Sequence, residues 1–467
     1  LLNNRYTIVR ALWATPEGWT PRPLIARLHV QQSDGSESVF MDYRTSQGTP
    51  TVVDSSSTEG DLLSSFFWRL DPEHVVPGMR YQVSVWEAED AGSIPESSAS
   101  NEHPASGFAA IAIEPEPAEI RVALIGVNYN VEGCVSNTSE LPEHEFEALR
   151  AGFEAWNGVQ TNAVVISTGI NVHIDYPVAS VTNLLGIVGQ VRGQYAESFP
   201  DAFFYLLWDD CSAFPQGILG IAPLNNDPPE IDDAATRYAA GLWNPQHIRE
   251  SVNTAVHEIG HNQGAPHAPC GVGSSDPNYP HVGASIGLWG LDPLDGKSYS
   301  PSEHTDFMSY CRPYWVSDYR WKKSFNHQKI MTSWSAGNAS ALGSDAPVMQ
   351  GYSGAVLVGL IHGDAPAEWW INTRPTPPKV ELGGELQVEL ELGGAPIAVA
   401  SRVKDLPDLP GAKIVEIPLV HGVDADTITG IRVRGPAVER VQASPAIHDY
   451  RALKITGQPT FTKHTGG

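Results

Sequence analysis

Apolar residues recur along the chain with two different periods, and the changes of period divide it in three. Up to about residue 115, the segments YTIVRALW at 6–13, LIARLHV at 24–30 and YQVSVW at 81–86 alternate or run apolar over strand lengths, separated by Gly, Pro, Asp and Ser. This predicts an all-β N-terminal unit, 1–117, with a sandwich as its expected form. The polar EPEP at 114–117 cannot continue a sheet interior and marks the boundary. Beyond it the strand IRVALIG at 120–126 is followed by a helix with Pro142 in its first turn, in which Phe146, Leu149, Phe153 and Trp156 recur at helical spacing. NAVVIS at 162–167, a helix over 181–195, AFFYLLW at 202–208 and GILGIA at 217–222 continue the alternation. Residues 118–344 are therefore expected to form an α/β or α+β domain with one mixed sheet. From 345 to 467 the strand period returns, in LQVELEL at 386–392 after a Gly383-Gly384 turn and in KIVEIPLV at 413–420. A second sandwich-like unit ending in a polar tail is predicted there.

Composition narrows the partners. Lys and Arg total 29 against 54 Asp and Glu, a formal charge of −25, which repels a phosphate backbone and an anionic membrane surface. Nucleic acid is thereby excluded as an expected partner. No apolar run reaches the roughly 18 residues needed to cross a bilayer. The 43 Gly and 37 Pro among 467 residues suit many short strands joined by ordered loops, in a chain long enough for several cores. Four cysteines, Cys134, Cys211, Cys270 and Cys311, are an even number that two bridges would use up, with three pairings open and an oxidising compartment implied. Leu1-Leu2-Asn3-Asn4 has neither the basic start nor the apolar stretch of a signal peptide.

The chemistry concentrates in HEIGHNQGAPH at 257–267. Asn244-Pro245 is a helix start, and Ile248, Val252, Val256 and Ile259 mark a buried face, so a helix is predicted over about 245–262. On it His257 and His261 project from one side, one turn apart, and can share a Zn²⁺. Glu258 beside them can take a proton from a water activated at the metal, the task of a general base in peptide hydrolysis. Gly264 can take positive φ and turn the chain back, which brings His267 in as third ligand and leaves a coordination position open. From the chain's own residue frequencies, five such positions match by chance on the order of 10⁻⁴ of the time.

With this segment and the DFMSYC run at 306–311, the sequence resembles the metzincin zinc peptidases, whose signature is HExxHxxGxxH followed by a Met-turn. The resemblance covers about 118–340. It implies that Met308 is the Met-turn methionine and that Tyr310 binds zinc or stabilises the oxyanion, as a tyrosine at that offset does in some subgroups. It also implies a sheet with an antiparallel edge strand; 217–224 is the candidate, with Gly220, Ile221 and Ala222 offering main-chain bonds to a substrate strand, an interior strand being the alternative. Ala268 after the third histidine fits no one subfamily. The 41 positions from His267 to Met308 hold an insert with DPNYP at 276–280 and GLWG at 287–290, expected to wall the specificity pocket. Because Cys270 and Cys311 flank the two motifs, a bridge between them would hold the metal floor rigid, which leaves Cys134 with Cys211. No thiol then remains for a cysteine-type latency switch.

Arg312, Tyr314 and Trp315 follow the Met-turn, where metzincins line the pocket for the residue after the scissile bond. Arg312 would favour an acidic or polar side chain there, or else act as a surface or bridging arginine. Asp209-Asp210 and Asp232-Asp233 are candidate Ca²⁺ ligands, and Asn137 and Asn338 begin glycosylation acceptor triplets. The combined expectation is a secreted, monomeric zinc metalloendopeptidase acting on protein or glycoprotein, flanked by β units. The alternative is a zinc-containing adhesin or glycan-binding surface protein with a vestigial peptidase core.

Overall fold

Along the strand Ile120–Val131, Ile120, Val122 and Leu124 pack into one core while Ala123, Ile125 and Val127 pack into another. A strand buried on both faces reads as an unbroken apolar run, which is why IRVALI carries almost no polar residue. The structure, a computed structural model, describes all residues except 89–101, 210–213, 215–216, 293–295, 335–348, 364, 437 and 463–467.

That strand is central in a seven-stranded sheet, in the order Gly220–Ile221, Tyr238–Leu242, Ala202–Trp208, Ile120–Val131, Val164–Ile174 and Lys454–Thr456, with Cys134–Asn137 folded back on Ile120–Val131. The four long members from Tyr238–Leu242 to Val164–Ile174 run parallel, and Gly220–Ile221 and Lys454–Thr456 are antiparallel. The mixed sheet expected for the middle of the chain is thus present, but its last strand comes from residues that the sequence pattern places in the C-terminal unit. Helices Glu143–Trp156, Ile248–Asn262 and Asp318–Ser333 supply Leu149, Phe153, Val252, Val256, Ile259 and Phe325 to the first core. The other face is covered by helix Val181–Tyr195, through Leu184, Ile187, Val188 and Val191.

Two sheets form the C-terminal unit, antiparallel except that Ile447–Asp449 runs parallel to Glu368–Thr373 at the edge of the five-stranded one. In the five-stranded one, Leu357, Val415 and Ile417 face the four-stranded sheet, whereas Val356, Val358 and Ile414 face helix Val181–Tyr195 and join the second core. One sheet therefore serves two cores, and this unit is fused to the middle of the chain along a broad apolar face. Its hairpin Arg402–Leu406 and Ala412–Val420 is also held by charge. Lys404 Nζ lies 2.6 Å from Asp233, and Arg402 pairs with Asp232, Asp233 and Glu416 at 3.3, 3.4 and 2.5 Å. These partners correct the reading of Asp232-Asp233 as calcium ligands, because cations of the chain already occupy them. Asp209 gives its backbone N–H to Ser136, and Asp210 lies outside the described residues.

Burial opposes the Asp233 charge, but Lys404 and Arg402 overcome that and hold its pKa below the usual range. A depressed acid contributes stability that is full above its unfolded pKa and is lost as pH falls through the folded one. Lys404→Met should accordingly cost about 3 kcal/mol at neutral pH by leaving Asp233 under-compensated. Urea unfolding should show that difference shrinking as the pH is lowered and Asp233 protonates; a difference independent of pH would assign the loss to packing.

The N-terminal unit carries a six-stranded sheet and a two-stranded one over a core of Leu24, Leu28, Val30, Phe66, Trp68 and Leu70. Arg5 fastens it to the middle of the chain by donating to the carbonyls of Asn157 and Glu154. Among the described residues, no helix is long and apolar enough to cross a membrane.

Candidate metal centre

The helix Ile248–Asn262 begins as the sequence predicts, with a short 3₁₀ turn at Pro245–His247 and the Asn244 side chain accepting from Gln246 N at 2.9 Å. Val252, Val256 and Ile259 anchor its inner face, which sets the direction in which His257 and His261 point. Their rings lie 4.8 Å apart, centre to centre. His257 Nδ1 donates to the Phe307 carbonyl at 2.8 Å and His261 Nδ1 to the Ala265 carbonyl at 2.7 Å. A carbonyl can only accept, so each imidazole carries its proton on Nδ1 and presents a lone pair on Nε2. Both Nε2 atoms are buried and make no hydrogen bond.

Gly264 has φ +73°, and a Cβ there would lie 2.6 Å from Asp227 Cβ and 2.9 Å from the Asn226 carbonyl carbon. Only glycine fits that turn, which brings the His267 ring to 4.8 Å from that of His261 and 5.3 Å from that of His257. Met308 is fully buried, with its sulfur under Gly260, where a Cβ would come within 2.5 Å of it. Asp306 shapes this turn by accepting from Met308 N at 2.9 Å and Ser317 N at 3.1 Å. Ala268 N donates to the Met308 carbonyl and Tyr310 N to the Cys270 carbonyl, and the Cys270–Cys311 disulfide, Cα–Cα 5.7 Å, closes the same junction. The expected tie between the third-ligand loop and the Met-turn is thus present. Cys134 is also disulfide-bonded, and Cys211 lies outside the described residues.

Sequence reasoning missed Asp408. At 7% exposure it enters from the C-terminal unit, with Oδ1 3.3 Å from His267 Nε2 and 3.6 Å from His257 Nε2, and Oδ2 3.4 Å from His261 Nε2. The four ligand atoms lie within 4.8 Å of one another, and they form the one such cluster found among the described residues. The three imidazole-to-carboxylate spacings of 3.3–3.6 Å are those of donors that could share one metal ion. No spacing rule links a residue 141 positions beyond His267 to the motif. The only local trace is the PDLPG turn at 407–411, between two strands.

Glu258 is buried against the edge strand, and Gly220 makes room for it, since a Cβ there would meet Glu258 Oε1 at 2.5 Å. Burial, reinforced by the neighbouring Asp408 charge, raises the Glu258 pKa well above the usual carboxylate range. Burial works against the Asp408 charge too, but the three imidazoles hold its pKa well below that range. Burial lowers His261 to about 4, against the pull of Asp408. Two carboxylates and three imidazoles packed together, with orphaned buried atoms on His257, His261, Glu258 and Asp408, form a donor set that matches a divalent cation.

The Tyr310 hydroxyl donates to Asp408 Oδ1 at 2.9 Å, and its ring centre is 4.9 Å from that of His267. Burial, then the Asp408 charge, raise its pKa. Gly220 lines a cleft of about 260 Å³ that runs past Glu258 to Trp156, Arg312 and Tyr314. Gly220–Ile221, a short part of the expected 217–224, is the antiparallel edge strand, and Ile221 and Ala222 are fully buried while Gly220 lines the cleft. Arg312 Nη1 pairs with Glu250 at 2.7 Å at the mouth of the cleft, so the bridging alternative describes it and its charge is already met. Tyr314 is half-buried beneath that guanidinium, and Trp315 is buried against Tyr299. Asn137 is exposed, and Asn338 lies outside the described residues.

No family model and no curated protein sequence matches the chain. Among solved structures, one described as the structure of a chaperone-substrate complex matches at 13% identity and a TM-score of 0.26, over 67% of this chain and 40% of that one. The chain thus spans less than half the length of that structure, and so low a TM-score supports no conclusion about fold or role.

Proposed function

We propose that the chain is a zinc-dependent metalloendopeptidase of metzincin type, with His257, His261 and His267 as the metal ligands. The observation that carries this reading is the convergence of the Nε2 atoms of His257, His261 and His267 on one point beside a buried carboxylate, Glu258. When bound there, a zinc ion would supply Lewis-acid polarisation of the scissile carbonyl and a water made acidic enough to lose a proton near neutral pH. Glu258 takes that proton and passes it to the leaving amine. Buried beside the cleft with Oε2 unpartnered, it is placed for both transfers. The Tyr310 hydroxyl donates to the oxyanion as charge develops. The segment from Gly217 to Gly220, which leads into the edge strand and lines the cleft, aligns the substrate through its main chain, and the cleft past Thr254 and Trp156 takes the side chain beyond the cut.

A second reading has one observation in its favour. Asp408 completes a four-ligand set, and zinc sites with four protein ligands are typically structural. On that reading the β units bind glycan or protein, and the centre only stabilises the fold. Incubation of the Asp408→Ala chain, in which three protein ligands remain, with unfolded casein, gelatin and a mucin-type glycoprotein separates the two. A peptidase produces fragments with new internal N-termini, and a zinc chelator stops their formation. Binding with no chelator-sensitive cleavage of any substrate would favour the adhesin.

A further inference from the structure

Asp408 stands at the tip of the hairpin Arg402–Leu406 and Ala412–Val420, where Leu406 pairs with Ala412 and residues 407–411 form the turn. The turn is firmly seated. Leu409 is buried in the core under the central sheet, and Pro410 packs over Gly273 in the loop after the third histidine. Leu224 N, just past the edge strand, donates to the Asp405 carbonyl at 2.9 Å, so the hairpin lies along the chain that should guide a substrate. At the tip, the Asp408 carboxylate takes the Tyr310 hydroxyl bond and the remaining vertex of the histidine cluster. It thereby occupies the positions that a water and an oxyanion would need. The Asp408 carboxylate is buried, and besides the Tyr310 hydroxyl it faces the Nε2 atoms of all three histidines at 3.3–3.6 Å, which are the surroundings of a ligand.

We infer that Asp408 is a fourth protein ligand of the metal and that the turn 407–411 is a plug, built into the C-terminal unit, which keeps the folded chain latent until it is displaced. This rests on the peptidase reading for its consequence but not for its geometry. The sheet that carries the plug shares its core with helix Val181–Tyr195, and Lys404 and Arg402 clamp the hairpin base to Asp233. Opening is therefore a movement of the turn, with the C-terminal unit remaining docked.

The experiment uses the full chain loaded with Co²⁺, as wild type, Asp408→Ala, Asp408→Asn, and a variant with 407–411 replaced by Asn-Gly, a two-residue turn that closes the hairpin without a carboxylate at the centre. Visible absorption reports the coordination, and titration with acetohydroxamate reports access to the ion. Retained cobalt, an altered spectrum and at least tenfold tighter hydroxamate binding in the variants are expected, with at least a tenfold gain in cleavage of a peptide substrate. Equal hydroxamate affinity in all four proteins overturns the plug. So does loss of the ion from every folded variant, which would make Asp408 a structural ligand. Tighter hydroxamate binding without any peptide cleavage leaves the plug standing and removes the peptidase reading.

Discussion

Glu258→Ala should leave the metal bound and lower peptide hydrolysis by about 10²–10⁴-fold, the range in which a positioned general base contributes. Glu258 is not among the four residues whose ligand atoms converge, so its removal spares the ion. Its carboxylate is held between Gly220 and the helix that bears the histidines, buried and with Oε2 unpartnered, and no other carboxylate in the cleft shares its placement. Glu250 lies at the mouth and is paired with Arg312, and Asp408 faces the ligand atoms. Metal analysis of the purified variant beside its hydrolysis rate, each measured with Asp408→Ala also present so that the plug does not mask the effect, decides the matter. Equal rates with and without Glu258 would assign the base to another group.

Gly264→Ala should cost more in stability than any surface substitution, on the order of 3 kcal/mol. An L residue at φ +73° carries about 1–2 kcal/mol of strain, and forcing an extra carbon against packed neighbours adds roughly 1–3 kcal/mol. The neighbours are Asp227 Cβ at 2.6 Å and the Asn226 carbonyl carbon at 2.9 Å, both fixed by the backbone, and cannot swing aside like the end of a flexible side chain. Relief would come from moving the chain between Ala265 and His267, which carries the third ligand and the carbonyl that orients His261. Thermal unfolding should therefore fall, and metal affinity should fall with it. A stable variant with unchanged affinity would mean that the turn tolerates side chains and that His267 is positioned by the Cys270–Cys311 junction alone.

Much of this centre could be read from the chain because its signals are local. The helix start at Asn244-Pro245, the spacing of His257, His261 and His267 and the glycine before His267 lie within one contiguous stretch and obey fixed periods, and the Met308 turn is legible through the resemblance that DFMSYC carries. The Cys270–Cys311 bridge followed from the positions of those motifs and is present. The remainder depends on contacts without any local period. Asp408 resembles any aspartate in a proline-flanked turn until the hairpin is docked, and Asp232-Asp233 resemble a cation site until Lys404 and Arg402 arrive from another unit. Lys454–Thr456 is too short and mixed to announce that it completes the central sheet. The pairing of Arg312 with Glu250 has no local signal either, since its partner sits on a helix 62 residues earlier.

The charge of −25 also has a more specific meaning at the centre. Acidic excess over the surface is ordinary solvation, but Glu258 and Asp408 are both buried at one point, beside three imidazoles that could hold an offsetting cation. Removing the ion should thus destabilise the surroundings of His257, His261 and His267 as well as abolish catalysis.

The central claim is tested most directly by cleavage of unfolded casein with the zinc-loaded Asp408→Ala chain, run with and without a zinc chelator. Internal fragments that appear with zinc, vanish on chelation and return when zinc is restored are the expected result. Intact casein, gelatin and mucin-type glycoprotein after exposure to a folded variant that holds one zinc per chain would contradict it.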